Sequence, residues 1–241
     1  MKARFLIYNI FIFLIFGQVF MFGNDYNNFK SASLTSIQAF TEDLGNIVGA
    51  STLYSARVLG FGGFAVSYKT AYQTKPLDDD TIFNKNKAFG INYVQVETGL
   101  PYRIDTYLRA GGDDGFNVIG GGIKYGIRNV TDELYKVNIA LSLNSHMGLY
   151  KYFYMTSFGA QLAFSMRLTN YMMPYISGGF DSVELRIKTN NDISLEDKSI
   201  FKKIQRYTIG MRFKIKLVNL SVAYDLYKER SGFNASAGIR F

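Results

Sequence analysis

The sequence has no cysteine, no tryptophan, three prolines and one histidine among 241 residues. Without cysteine there is neither a disulfide framework nor a residue to carry a lipoprotein anchor. A single histidine with no thiolate beside it leaves little from which to build a metal centre, and none is expected. Beyond the first two dozen residues no apolar run approaches the roughly 20 residues of a membrane-spanning helix. What is abundant is 18 Tyr, 21 Phe and 23 Gly. An aromatic, glycine-rich and proline-poor chain favours many strands. Apolar residues alternate along most of it, and spanning a bilayer with strands requires a closed barrel, because only closure satisfies every backbone amide and carbonyl.

The carboxy-terminal segment shows the alternation plainly. Phe233, Ala235, Ala237, Ile239 and Phe241 fall on one face of an extended strand, with Asn234, Ser236, Gly238 and Arg240 on the other. This segment resembles the last strand of bacterial outer-membrane β-barrels, in which a final aromatic and alternating apolar residues are read by the barrel-assembly machinery. The resemblance implies that Phe233, Ile239 and Phe241 form an assembly signal. At the other end Lys2 and Arg4 precede residues 5–16, apolar except for Tyr8 and Asn9. That is the layout of a secretory signal peptide, expected to span residues 1–23. A retained membrane anchor is the alternative, since residues 5–22 approach spanning length. The implied address is the bacterial outer membrane, with its lipids and the assembly machinery as partners.

Residues 24–60 read as a periplasmic lead-in carrying one amphipathic helix. Leu34, Ile37, Phe40, Leu44, Ile47 and Val48 recur at three- and four-residue steps up to Gly49. Such a helix is expected on the inner rim of the barrel or at the lipid interface; a luminal plug is the second reading. Residues 61–241 supply ten strand candidates: 61–74, 88–97, 102–110, 116–128, 135–148, 152–168, 172–188, 201–217, 219–228 and 231–241. The seventh changes phase near Asp181, which suggests a bulge. A count of eight follows if the second and seventh are misread. With ten strands and both barrel ends in the periplasm, the long connections 75–87 and 189–200 fall outside the cell. The short links near 98–101, 129–134, 169–171 and 217–218 fall inside, as is usual for such barrels. The expected fold is therefore an all-β closed antiparallel transmembrane barrel behind a short helix, similar in kind to OmpA-, OmpX- and OmpW-like barrels.

The eighth candidate sets Tyr207, Ile209, Met211, Phe213 and Ile215 against Arg206, Thr208, Gly210, Arg212 and Lys214. A cation at the bilayer midplane on the lipid face costs about 2–4 kcal/mol, so the charged face is placed inward. In this register Lys69, Arg103, Arg109, Lys124, Arg128, Lys136, Arg167, Arg206, Arg212, Lys214 and Arg240 face the lumen, with Asp105 and Asp225 the clear inward acids. Losing Lys2 and Arg4 lowers the formal net charge from +8 to +6, so the basic excess persists. A basic lumen favours small anionic solutes. The expected function is a small porin or solute channel, with a surface-interaction barrel acting through its outer loops as the alternative and a lipid-modifying enzyme as the third reading. His146 is the lone histidine, and Ser145 beside it points to the opposite face. No orienting acid or nucleophile is evident at a usable spacing, so no catalytic residue or cofactor is expected. The cations are spread over the lumen without any nucleic-acid motif. Gly120-Gly121-Gly122 reads as barrel curvature rather than a phosphate cradle.

Overall fold

The computed structural model describes residues 26–241, so the expected signal peptide lies outside the described residues. Ten antiparallel strands form a closed barrel: β1 (Phe64–Gln73), β2 (Phe89–Leu100), β3 (Ile104–Asp113), β4 (Phe116–Gly126), β5 (Val137–Leu149), β6 (Phe153–Met166), β7 (Met172–Ile187), β8 (Ser199–Ile215), β9 (Val218–Leu226) and β10 (Ser231–Arg240). Each strand pairs with its sequence neighbours, and β1 closes the barrel on β10 from Ala65↔Arg240 to Gln73↔Gly232. Closure leaves no strand edge unpaired, which is what makes the arrangement tolerable in lipid. The ten-strand count holds and the eight-strand variant does not.

The barrel has two unlike ends. At the turn end, where β1 begins and β10 stops, lie the links β2–β3, β4–β5, β6–β7 and β8–β9. At the loop end lie the longest connections, residues 74–88 and 188–198, together with three tight ones. One of the tight ones is the Asp114-Gly115 hairpin, where φ is 43° and 79°. Positive φ at both central residues matches the right-handed twist of the flanking strands, and Asp-Gly adopts it readily.

Residues facing outward over the middle of the wall are apolar and exposed, among them Leu108, Ile119, Ile123, Phe158, Ile176, Ile209 and Val222. Those facing inward in the turn-end half are polar. Toward the loop end the two faces exchange character. On β7, Val183, Leu185 and Ile187 are buried inside, while Ser182, Glu184 and Arg186 face out. The expected bulge at Asp181 is therefore corrected. The pairing of β7 with β6 and with β8 runs without interruption through Asp181. The strand keeps its phase, and only the chemistry of its two faces inverts, because this part of the wall has an apolar object inside it.

That object is α1 (Leu34–Val48). Ser33 caps it by accepting a hydrogen bond from the Ser36 amide. The helix is in the lumen, not on the rim or the lipid interface, and the rim placement is corrected here. Ile37, Phe40, Leu44 and Ile47 are buried, but so are Thr41 and Asp43 on the flanks of that face and Asn46 on the opposite side. A rim helix would leave that polar side in water. Here Asn46 donates to Gln73 Oε1 at 2.9 Å, and Asp43 accepts from Gln73 Nε2 at 2.6 Å and the Leu77 amide at 2.7 Å. The lead-in is not at the turn end either. Residues 26–33 sit among the loop-end connections, with Asn190 Nδ2 donating to the Phe29 and Ala32 carbonyls and the Asn191 amide to Lys30 O at 2.8 Å. From there the chain descends through α1 and residues 49–59 to the turn end before β1 turns back up the wall.

Candidate functional site

The lumen is the part of the molecule that gathers chemistry, and it is occupied along its length. Its loop-end half is an aromatic cluster. Phe40 of α1 meets Phe83 at 5.0 Å, Phe153 at 5.3 Å and Phe29 at 5.6 Å between ring centroids, and Tyr26 meets Tyr150 at 5.1 Å. Burial of such a side chain stabilises by roughly 1.5–3 kcal/mol. The half-exposed Lys202–Glu42 pair at 3.4 Å lies in the range of about 0–1 kcal/mol. Apolar packing, not that ion pair, seats the helix.

Gly45 and Gly49 permit the close approach. A Cβ on Gly45 would press on Ile204 and Val183, and one on Gly49 would come within 2.6 Å of both Arg206 Nη2 and Asp181 Oδ2. Just below, Arg206 pairs with Asp181 at 2.9 Å and donates to Gly49 O at 2.5 Å and Asn46 O at 3.1 Å. Arg109 stacks over Tyr93 at 4.3 Å and donates to the Val48 and Ala50 carbonyls. Two guanidiniums thus receive the last carbonyls of α1, where unsatisfied acceptors and the negative end of the helix dipole favour cations. Lower still, Lys69 Nζ donates to Ser51 O at 3.0 Å and Thr52 O at 3.1 Å, with Glu97 3.8 Å away. Lys124 pairs with Asp105 at 3.0 Å, and both Asp105 oxygens accept from the Leu59 amide. Asp225 accepts from Thr208 at 2.6 Å and Asn234 at 2.7 Å.

Of the residues expected to line the lumen, Lys69, Asp105, Arg109, Lys124, Arg206, Arg212 and Asp225 are buried inside. The others are at the turn-end mouth. Arg103 lies in the β2–β3 turn at φ 64° and donates to Tyr125, Ile127 O and Asn129. Arg128 lies past the end of β4 with its side chain exposed, Arg167 past the end of β6, and Lys214 near the end of β8, also exposed. Arg103, Arg128 and Arg167 face the lumen only if their strands run one or two residues further than they do, whereas Lys214 lies inside β8, paired with Asn219, and is exposed because the strand reaches the mouth there. At Arg103, Arg128 and Arg167 the chain is in the turn. Glu97 and Asp181 are two further inward acids. Glu97 shares the phase of Tyr93 and Gln95 and was legible in the sequence; Asp181 was hidden by the apparent phase change. The plug carbonyls had no sequence signal.

His146 Nδ1 lies 3.2 Å from Ser157 Oγ, a pair from adjacent strands. His146 is 2 % and Ser157 4 % exposed, beneath the aromatic cluster, so no substrate reaches them in this arrangement. Among the described residues no group of His, Asp and Glu has the geometry to hold a metal ion. At the loop end Asp43 and Asp80 are fully buried and hydrogen-bond each other, and Asp80 accepts from the Ile82 amide at 2.7 Å. Burial pushes both carboxyls up from 3.8, Asp43 to about 9 and Asp80 to about 6. On the outside of β10, Phe233 and Phe241 are exposed, and Phe241 sits beside Phe64 at 6.5 Å.

No family model matches the chain, and no curated protein matches it. Among solved structures it is similar to the KdgM porin in complex with disordered oligogalacturonate, at 8% identity and a TM-score of 0.41, covering 73% of this chain and 99% of that one. LpxR from Salmonella typhimurium aligns at 10% identity and 0.39 over 74% and 99%. Ail, the attachment invasion locus protein of Yersinia pestis, aligns at 13% identity and 0.34 over 75% and 99%. At these identities neither residues nor activities carry across.

Proposed function

We propose that this chain is an outer-membrane barrel closed to solutes by its own amino-terminal segment, working at the cell surface through its loop end. The observation that carries this is the filled lumen: residues 34–59 run through it, and its central cations are bonded to that segment's carbonyls. Their positive charge is spent on the plug rather than offered to passing anions. Membrane placement rests on the apolar outer belt. The loop end is outward because short turns lie on the periplasmic side of such barrels. There the plug fixes the long connections, through Asn190 and through Ser36–Thr81 at 2.7 Å, as one pre-organised surface. Planar bilayers test the reading: the intact protein should insert without single-channel currents, and steady conductance from it would overturn the closed barrel. A tag inserted at the exposed Asp79 should be detected on intact cells.

The channel reading survives in one form, a gated conduit. If the plug leaves, Lys69, Arg109 and Arg206 lose their carbonyl partners and face an open path, which would favour anions. A chain lacking residues 26–59 should then conduct with anion preference that weakens at high salt. The outward row Phe233, Ile239 and Phe241 is read as the assembly signal. Deleting Phe241 should reduce outer-membrane barrel while leaving export intact, and undiminished heat-modifiable barrel would refute it.

A further inference from the structure

At the turn-end mouth, on the far side of the lumen from the aromatic cluster, five cations surround one small cavity of about 20 Å³. Arg57, Arg167, Arg212, Lys214 and Arg240 line it, and Asp132 is its only carboxylate. Asp132 is already committed. It receives Arg57 in a two-point contact at 2.5 and 2.6 Å. That bond, with the charges of Arg57, Lys214 and Arg167, holds its carboxyl below the usual range. One acid against five cations leaves the cavity strongly positive.

Arg212 shows that the cavity is built rather than a chance crowding of surface charge. It is 2 % exposed, yet among the described residues no carboxylate pairs with it. Its Nε and Nη2 both go to one amide oxygen, Asn219 Oδ1, its remaining nitrogen, Nη1, has the Met173 sulfur at 3.9 Å, and the guanidinium lies over the Tyr54 ring at 5.3 Å, so every partner it has is neutral. A buried guanidinium is costly unless an anion compensates it, and a thioether is a weak acceptor. Arg240 spends one nitrogen on the Val58 and Leu59 carbonyls, and Arg167 is tied to Asp132 O and the 169–170 turn. Lys214 is exposed at the opening and enters no ion pair among the described residues. The arrangement has one deep guanidinium in Arg212, the remaining nitrogens of Arg240 at its side, and the Lys214 ammonium at the entrance, with Arg57 and Arg167 adding charge.

We infer that this cavity is a binding site for the phosphate group of a ligand arriving from the periplasmic side. A multiply charged oxyanion supplies what Arg212 lacks, and guanidinium groups converging from several elements suit its oxygens. The group can come from free phosphate or from a lipid headgroup, since Tyr171 and Met172 of the cavity wall are themselves exposed at the barrel rim. The site is independent of whether the barrel conducts, so it stands or falls apart from the closed-lumen reading.

The test is calorimetric titration of the full-length barrel, in phosphate-free neutral detergent, with inorganic phosphate. Saturable one-site binding is expected, weakened about tenfold or more by Arg212→Met, the size of one charge-assisted hydrogen bond. Lys214→Gln, which cannot compromise folding from its exposed position, should weaken it several-fold. Nanodiscs of phosphatidylglycerol and of phosphatidylcholine separate the sources. Loss of phosphate binding in the anionic discs alone assigns the site to headgroups; retention in both assigns it to soluble phosphate. No saturable binding of phosphate to the wild-type barrel in detergent, or binding unchanged in both variants, would overturn the proposal.

Discussion

The two halves of the lumen solve the same packing problem with opposite chemistry. Near the loop end, α1 meets Phe83, Phe89, Phe116, Phe153, Val183 and Ile204 in an apolar core like that of a water-soluble domain. Near the turn end, the extended segment 50–59 meets Lys69, Glu97, Asp105, Lys124 and Arg212. The difference follows from what each stretch of plug exposes. A helix satisfies its own backbone and offers side chains, so apolar partners suit it. An extended strap offers bare carbonyls and amides, and these require charged or polar partners. The wall's inward residues are therefore chosen by the local backbone state of the plug, and the outward face inverts only where the core is apolar.

The comparison breaks most visibly at Phe40. Truncating it to alanine removes the ring at the centre of the upper cluster, and large-to-small core changes of this kind cost about 3–5 kcal/mol. Hydrogen exchange should show loosening confined to α1 and the 74–88 and 188–198 connections, with the Leu59 amide on Asp105 still protected. Equal loosening at both ends would mean that the plug is one cooperative unit and the division into halves is wrong.

Gly49 lies at the boundary between the halves. Gly49→Val places a methyl-bearing carbon against the Arg206–Asp181 pair, and overpacking of this kind costs about 1–3 kcal/mol. Because the strain falls on the last turn of α1, the plug should be partly released. Intermittent single-channel currents are expected from this variant and not from the intact chain. A silent bilayer together with an unchanged melting temperature would show that the boundary yields without cost.

Much of the barrel was legible because period-two alternation is set by the wall alone. The strand count, the parity of the connections and the buried positions Lys69, Arg109, Arg206 and Arg212 all follow from it. What could not be read depends on contacts between segments far apart in sequence. Val183, Leu185 and Ile187 looked like a phase error because a single sequence does not say what a strand packs against. The helix was given its correct span, yet its position hung on whether Asp43 and Asn46 would find partners, and Gln73 and Leu77 lie some thirty residues away. Arg103, Arg128 and Arg167 lie past strand ends, which alternation fixes poorly. At Asp132 the sequence offered no hint that Arg57 would cross the mouth to meet it.

The smallest expected effect sharpens the comparison from within the apolar half, where Asp43 and Asp80 are its one acidic pair. Both carboxyls titrate above 3.8 in the fold, Asp43 at about 9 and Asp80 at about 6, because burial disfavours their charged forms. The closed loop therefore holds more protons than an opened one, and linkage makes closure favourable at low pH and progressively weaker as pH rises. Facing the pair are Gln73 and the Leu77 amide on Asp43, the Ile82 and Phe83 amides on Asp80, and the Lys85 charge, which favours ionised Asp80. Protection of the Leu77 and Ile82 amides, corrected for intrinsic exchange, should fall between about pH 4 and pH 9, by at most about tenfold per unit for each proton linked, and level off above that. Asp43→Asn keeps an acceptor for Gln73 but sets an NH2 group against the Leu77 amide, so this variant is read at the Ile82 amide, whose profile should flatten above about pH 6 once the titration of Asp43 is gone. The Asn191 amide, bonded to Lys30 O, serves as the insensitive control. Wild-type protection that stays constant from pH 5 to pH 9, or a variant that follows the wild-type slope, would show that the pair does not govern the seating of this loop on the helix.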